Sequence, residues 1–203
     1  VIVSAMSGAM GGSGSEEFLA IADSGEDTYV QCPSCGLAAN VEAIITKAPP
    51  EADFSNTREM HIENTPDTPT IATLVDISNE REDLRRNDRP WQASDTLKNV
   101  VVMEVTYDGQ RKPLVIGLPG DREVDTKRVE AAVHPSSIEP FEEDDFKKYP
   151  ALVKGYIGPQ VLGEKSDSGI RYVVDPRVVK GSRWIAGGNK QNHHAYDLVA
   201  GRD

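Results

Sequence analysis

The segment VVVMEVTYDGQRKPLVIGL, residues 100–118, contains the two most strongly β-forming runs of the chain. Residues 100–105 are mostly β-branched, and residues 113–118 form a second apolar run. The Tyr107-Asp108-Gly109 sequence between them is a turn signal, because glycine accepts the positive φ that tight turns require. The segment therefore predicts a β-hairpin or a pair of neighbouring strands.

The regions on either side of this segment alternate between strand and helix patterns. Strand patterns occupy residues 1–5, 59–63, 170–175 and 182–186. Helix patterns occupy residues 38–44, 70–76, 125–133 and 139–152, and Thr70 stands at a capping position. The charge-dense stretch 79–94 is interpreted as a surface insertion. This alternation predicts an α/β or mixed α+β fold, a β-sheet flanked by helices, with a domain boundary near Pro49-Pro50.

Composition limits the classes of protein to which the chain can belong. Its 203 residues are 38% hydrophobic and 27% charged, enough for one core or one domain with an appendage. No run approaches the roughly 18 apolar residues of a membrane helix, and no signal peptide is visible, so we expect a soluble, cytoplasmic chain without a membrane partner.

The net charge of −11 is unevenly distributed and opposes a nucleic-acid partner for most of the surface. Residues 1–95 contain six Lys or Arg against seventeen Asp or Glu, whereas residues 146–203 contain ten against five. A nucleic acid is therefore expected to approach the C-terminal portion.

Several short motifs have both a structural and a chemical interpretation. The Cys-Pro-Ser-Cys motif at residues 32–35 is interpreted as a turn, with half of a zinc site or a redox pair as alternatives. Adjacent His193 and His194 must diverge, so both lie at the surface or one lines a pocket. The glycine-rich residues 11–14 suit a linker or a phosphate cradle.

Two further features acquire meaning only in combination with others. Lys98 precedes an apolar strand, where its stem packs on apolar surface while its amine reaches a cleft or solvent. Residues 155–159, Gly-Tyr-Ile-Gly-Pro, form a helix stop followed by a turn. No Ser-His-Asp or Cys-His triad is evident.

An ordered set of motifs covers essentially the whole chain and resembles the middle of a bacterial-type prolyl-tRNA synthetase. The matching segments are GGSGSEEF at 11–18, CGLAANVE at 35–42, NTP at 64–66, TLK at 96–98, GYIGP at 155–159, Asp175, GGNKQNHH at 187–194 and GRD at 201–203. Glu16 replaces a histidine of the family, and Met6-Ser7-Gly8 replaces its Asp-x-Gly. Both departures fall in the part that resembles the synthetic site.

The resemblance implies a domain arrangement, a fold and an activity. Residues 1–49 would be a remnant of the class II catalytic domain, and residues 50–203 would be the inserted editing domain. The implied fold is a mixed, partly barrel-like β-sheet flanked by helices, as in YbaK-like deacylases. The implied activity is hydrolysis of alanine misattached to proline tRNA by a domain of a proline-tRNA ligase. The alternative is a non-catalytic insertion that binds the tRNA acceptor end and supports the parent synthetase.

The resemblance also assigns roles to individual residues. Lys98 would bind the terminal phosphate or ester region, and the loop with Gly155, Gly158 and Pro159 would bring backbone groups to the ester. Thr65, Asp175 and His194 would contact the substrate. Editing would need no metal or cofactor, and ATP and Mg would serve only the parent enzyme. The implied partners are the acceptor end of tRNA(Pro) carrying alanine and the rest of the synthetase, whose parent chain would form a homodimer.

Overall fold

The computed structural model describes residues 1–6, 14–22, 24–25 and 27–203. These residues divide into two compact units, one of residues 1–47 with 125–132 and the other of residues 48–124 with 133–203. The strands are β1 (Ile2–Ala5), β2 (Ser15–Phe18), β3 (Tyr29–Gln31), β4 (Ala38–Asn40), β5 (His61–Asn64), β6 (Thr96–Val105), β7 (Arg111–Pro119), β8 (Ser137–Pro140), β9 (Arg171–Val174), β10 (Arg183–Gly187) and β11 (His193–Val199). The helices are α1 (Ile71–Glu80), α2 (Thr126–Val133) and α3 (Glu143–Lys148).

The first unit contains a four-stranded sheet with the strand order β2-β1-β4-β3. The prediction of a helix over residues 38–44 is wrong, because residues 38–40 form β4 and only residues 41–43 form a 3₁₀ turn. Pairing of Ala39 with Ser4 and with Val30 on both sides outweighs the local helix preference. The glycine-rich loop predicted at residues 11–14 lies, except for Gly14, outside the described residues, as do Ser7 and Gly8 of the departure from the family pattern.

The second unit is built on a sheet of seven strands in the order β5-β11-β10-β6-β7-β9, with β8 paired to β6. The predicted hairpin is confirmed, since β6 and β7 pair in antiparallel register from Leu97 opposite Pro119 to Val105 opposite Arg111. Gly109 occupies the turn with a φ of 79°. The predicted mixed α+β class is also confirmed, although the strand path through the described residues ends at β5 and β9 without closing.

Helix α1 follows the polar segment of residues 50–70 and packs on one part of this sheet. The predicted cap is confirmed, because the backbone N–H of Thr73 donates to Thr70 Oγ1 at 3.2 Å. Leu74 on α1 packs in a buried cluster with residues from the sheet. The full cluster is Leu74, Leu84, Trp91, Ile185 and Tyr196.

The interpretation of residues 79–94 as a surface insertion is wrong. Leu84 is 3% exposed and Trp91 is 2% exposed, and both belong to the core around α1. The Asn79 side chain holds this segment, because its Nδ2 donates to the Trp91 carbonyl and its Oδ1 accepts from the Trp91 N–H. Because Leu84 and Trp91 are surrounded by charged residues in the sequence, the pattern indicated an exposed segment.

The predicted helix over residues 139–152 is shorter than expected. Residues 137–140 form β8 on the edge of β6, and α3 spans only Glu143–Lys148. Pro140 and Pro150 flank the helical part, and proline disfavours helix at the residue before it. Across the described ranges, no helix is both long and apolar enough to cross a membrane.

Candidate functional site

A buried pair, Thr65 and His194, lies where β5 ends and β11 begins. Thr65 is fully buried and His194 is 6% exposed. The Thr65 Oγ1 atom lies 2.6 Å from His194 Nδ1 but 3.5 Å from the Asn192 carbonyl oxygen. The threonine hydroxyl thus bridges the imidazole and the Asn192 carbonyl, to which it donates. The resemblance assigned both residues to substrate binding, and the fold brings them into direct contact.

The two adjacent histidines diverge, as the strand geometry predicts. His193 Nδ1 lies 2.7 Å from the Gln191 carbonyl oxygen and its side chain is half-buried, whereas His194 faces the interior. The reading in which both lie at the surface is therefore wrong for His194. Burial, with a smaller contribution from the charge of His193, lowers the pKa of His194 to about 4. His194 is consequently neutral at pH 7, and its ring carries one donor and one acceptor nitrogen.

The lowered pKa of His194 predicts a specific pH dependence of stability. The unfolded chain binds the imidazole proton below pH 6.5, but the folded chain resists it until about pH 4. The stabilisation is therefore complete above pH 6.5 and is lost as the pH falls from 6.5 towards 4. We expect His194→Gln to show a shallower decline of melting temperature across this window than the unchanged chain. Parallel declines in the two proteins would contradict the assignment.

The predicted loop at residues 155–159 lies against His194. The Tyr156 ring is buried with its centroid 5.4 Å from that of His194, and its hydroxyl donates to Asn192 Oδ1 at 2.9 Å. Gly155 turns the chain into the loop with a φ of 80°, and Pro159 begins a 3₁₀ turn that ends it. The loop thus forms a wall beside the histidine.

The backbone groups in the middle of this loop are bonded to two asparagine side chains. Asn189 Oδ1 accepts the Gly158 N–H at 2.7 Å, and the Asn189 N–H donates to the Tyr156 carbonyl at 2.8 Å. Asn99 Nδ2 donates to the Ile157 carbonyl at 2.8 Å. These peptide groups are occupied within the protein, so they hold the loop in place.

Lys98 near the start of β6 and Asp175 just after β9 lie at the same end of the sheet, on either side of β7. Lys98 Nζ donates to Glu123 Oε1 at 2.9 Å, and Asp175 Oδ2 accepts from Arg122 at 2.8 Å. The Lys98 side chain is 21% exposed, whereas that of Glu123 is 91% exposed. Such an exposed carboxylate makes a weak ion pair, so a phosphate can replace it at little cost.

The seven predicted site residues fall into two groups in the structure. Thr65, His194 and the 155–159 loop form one through the contact between Tyr156 and His194, whereas Lys98 and Asp175 share one end of the sheet without bonding to each other. Asn99 connects them, because it follows Lys98 in β6 and bonds to the loop at Ile157. Sequence reasoning assigned no role to Asn99 or Asn189. The signal for Asn189 was its place after Gly187-Gly188, where a φ of 54° suits asparagine.

The Cys-Pro-Ser-Cys motif forms a turn in the first unit. The Gly36 N–H donates to the Cys32 carbonyl at 2.9 Å, and the thiols of Cys32 and Cys35 are free. Backbone N–H groups of Cys35 and Ser34 lower the pKa of the Cys32 thiol. In the part of the chain that the structure describes, no three His, Cys, Asp or Glu side chains are grouped for a metal ion.

Comparison with known proteins identifies the family. The profile of the aminoacyl-tRNA editing domain matches residues 66–200. The proline–tRNA ligases of Kineococcus radiotolerans, a Nocardioides species and Cutibacterium acnes are 61%, 57% and 55% identical over 203, 204 and 202 residues. Each match covers 100% of this chain and 34% of the relative, so the chain spans about a third of their length. The resemblance to prolyl-tRNA synthetases is confirmed, and the chain belongs to the aminoacyl-tRNA editing domain family.

Proposed function

We propose that this chain hydrolyses the ester of mischarged Ala-tRNA(Pro). The observation that carries the proposal is the buried, neutral Thr65–His194 pair beside a loop whose backbone is held by hydrogen bonds. In a member of an aminoacyl-tRNA editing family, such an arrangement supports a small pocket for the aminoacyl group. The neutral His194 imidazole is the polar group that this wall presents to a bound amino acid or its ester.

Lys98 supplies the positive charge in the proposed complex. Its amine exchanges Glu123 for a phosphate of the tRNA end, and its position within β6 places that phosphate relative to the loop. Asp175, held by Arg122 and by the Arg177 N–H, borders the same region. The acceptor end thus enters over Lys98 while the aminoacyl group reaches His194.

The proposed reaction uses water as the nucleophile. A water oxygen bonds to the ester carbonyl carbon, the bond from that carbon to the ribose oxygen breaks, and a water proton ends on the ribose hydroxyl. The loop contributes by excluding larger groups and fixing the ester, while its central peptide groups remain bonded to Asn99 and Asn189. The substrate's neighbouring ribose hydroxyl is well placed to assist the proton transfer.

A separate hydrolytic site is needed because binding alone cannot select proline strictly over smaller amino acids. A pocket shaped for proline rejects a smaller amino acid by only about 1–3 kcal/mol for each missing methylene, so errors must be removed afterwards. Within a proline-tRNA ligase, residues 1–49 would belong to the class II catalytic domain and residues 50–203 to the insertion. The parent would be a homodimeric cytoplasmic enzyme that uses ATP and Mg for its own reaction, and editing would need neither.

Replacing Lys98 by alanine is expected to abolish most of the activity while leaving the fold intact. Loss of one charged group aimed at the substrate typically lowers the rate by about 10²-fold or more. Because the ion pair with Glu123 is surface-exposed on one side, its loss changes stability by less than about 1 kcal/mol. Deacylation of Ala-tRNA(Pro) and Pro-tRNA(Pro) at low salt, with thermal melting of each protein, measures both effects.

Lys147 provides the matched control for this experiment. It is also a lysine in a single ion pair, with Asp144 at 2.6 Å, but its side chain on α3 is 75% exposed. Lys147→Ala is expected to deacylate at the rate of the unchanged chain. Full activity of Lys98→Ala would refute the assigned site. Tight tRNA binding by the unchanged chain without turnover would favour the non-catalytic alternative.

A further inference from the structure

The middle of the 155–159 loop is held from two sides by two asparagine side chains. From β6, Asn99 Nδ2 donates to the Ile157 carbonyl at 2.8 Å. From the turn after β10, Asn189 binds the Gly158 N–H through Oδ1 at 2.7 Å and the Tyr156 carbonyl through its own N–H at 2.8 Å. The two side chains therefore anchor Ile157 and Gly158, the Asn189 backbone anchors Tyr156, and we call this pair of asparagines the loop clamp.

The orientation of each amide in the loop clamp is determined by its partner. The Gly158 N–H can only donate, so Asn189 must present its oxygen, and the Ile157 carbonyl can only accept, so Asn99 must present its nitrogen. Asn99 Oδ1 then accepts from the Tyr172 hydroxyl at 2.9 Å. Burial raises the pKa of Tyr172, which keeps this hydroxyl protonated as the donor.

The loop also contacts the end of β10 directly, backbone to backbone. A Cβ added to Gly158 would overlap the Gly187 carbonyl oxygen and would lie 2.8 Å from Asn189 Nδ2. The loop therefore has no room to move towards β10. The clamp prevents the opposite movement, away from β10, which would widen the space beside His194.

We propose that Asn99 and Asn189 are positioning residues that set the width of the aminoacyl pocket and thereby its preference for alanyl over prolyl esters. The inference rests on the proposed function. Releasing the clamp lets the loop move outwards, so the larger prolyl ester enters and the alanyl ester is held less firmly. Selectivity falls because the two rates change in opposite directions, which a general loss of structure would not produce.

Asn189 is a better position for a test than Asn99, because different substitutions can keep its positive φ while removing both or only one of its side-chain hydrogen bonds. Asn189→Gly keeps a residue that tolerates the φ of 54° and removes the side chain. Asn189→Asp keeps the oxygen that accepts the Gly158 N–H and loses only the bond from Nδ2 to Gln160 at 3.1 Å. Asn79→Ala is the control, because Asn79 makes two comparable bonds to Trp91 in the core around α1.

The experiment measures kcat/KM for Ala-tRNA(Pro) and Pro-tRNA(Pro) with the full chain and each variant, together with melting temperatures. We expect Asn189→Gly to lower the alanyl-to-prolyl ratio by about tenfold or more, in the range that one methylene of pocket size controls. Asn189→Asp should retain most of the alanyl-to-prolyl ratio of the unchanged chain. Asn79→Ala should lower the melting temperature but leave this ratio unchanged.

A proportional decrease of both rates in Asn189→Gly, with the ratio within twofold of the unchanged chain, would overturn the inference while the proposed hydrolysis stood. An equal loss of selectivity in Asn79→Ala would also overturn it, since the effect would then follow from stability. If the unchanged chain hydrolysed neither ester, the proposed function would fail and the inference with it.

Discussion

Asp197→Ala is expected to destabilise the second unit by about 3–5 kcal/mol, because it removes one partner of a buried charge network. The Asp197 side chain is 3% exposed and accepts from Arg183 Nε at 2.5 Å. Arg58 Nε and His61 Nδ1 each lie 3.6 Å from its other oxygen. Without the carboxylate, the Arg183 guanidinium, itself 22% exposed, loses its one ion-pair partner among the described residues.

Urea unfolding at pH 7 measures this loss, and two further variants separate its causes. Asp197→Asn keeps the shape of the side chain, tolerates the φ of 56° and removes only the charge. The further loss of stability in Asp197→Ala then measures the backbone strain and the lost hydrogen bonds. Asp144→Ala removes an exposed carboxylate paired with Lys147, and we expect a change below about 1 kcal/mol. An unfolding free energy of Asp197→Ala close to that of Asp144→Ala would show that the network contributes little.

Gly187→Ala is expected to reduce deacylation by about 10²-fold, the cost of displacing a site by roughly 1 Å. A Cβ at this position would overlap the backbone of Tyr156 and would lie 2.6 Å from the Ile157 carbonyl oxygen. Because these are backbone atoms, the new methyl group can be accommodated only by moving the loop or the end of β10. Overpacking of this kind also costs about 1–3 kcal/mol of stability.

Gly14→Ala is the matched control, since a Cβ there meets nothing within 4 Å. It should leave both activity and melting temperature unchanged. Deacylation by Gly187→Ala at the rate of Gly14→Ala would mean that the contact between the loop and β10 is not needed for the reaction. A Gly187→Ala protein that remains folded at the assay temperature but is inactive would support a positional role.

Elements with strong local signals were predictable from the sequence alone. The hairpin of β6 and β7 follows from two apolar runs around a glycine turn, and α1 follows from its apolar spacing and the Thr70 cap. These elements depend on neighbours within about ten residues, which the sequence displays directly. The seven candidate site residues came from an ordered set of motifs, and the same set pointed to the editing family to which the chain belongs.

Elements that depend on distant partners were not predictable in this way. Residues 38–40 have a helical composition but pair as β4, and Leu84 and Trp91 lie within a charged stretch yet fill the core. In both cases, tertiary pairing or burial provides more free energy than local preference. A charge-dense segment with two buried anchors looks the same in sequence as a fully exposed one.

Local sequence was enough to infer the class of fold, the central hairpin and the residues worth testing. How those residues meet depends on the order of the strands in the sheet. Thr65 and His194 are 129 positions apart, and their hydrogen bond exists because β5 and β11 are neighbours in the sheet. The clamp joins Asn99 and Asn189 to the same loop for a similar reason. Such contacts arise from strand order, which no spacing along the chain encodes, because hydrogen bonds between strands join residues irrespective of their separation in sequence.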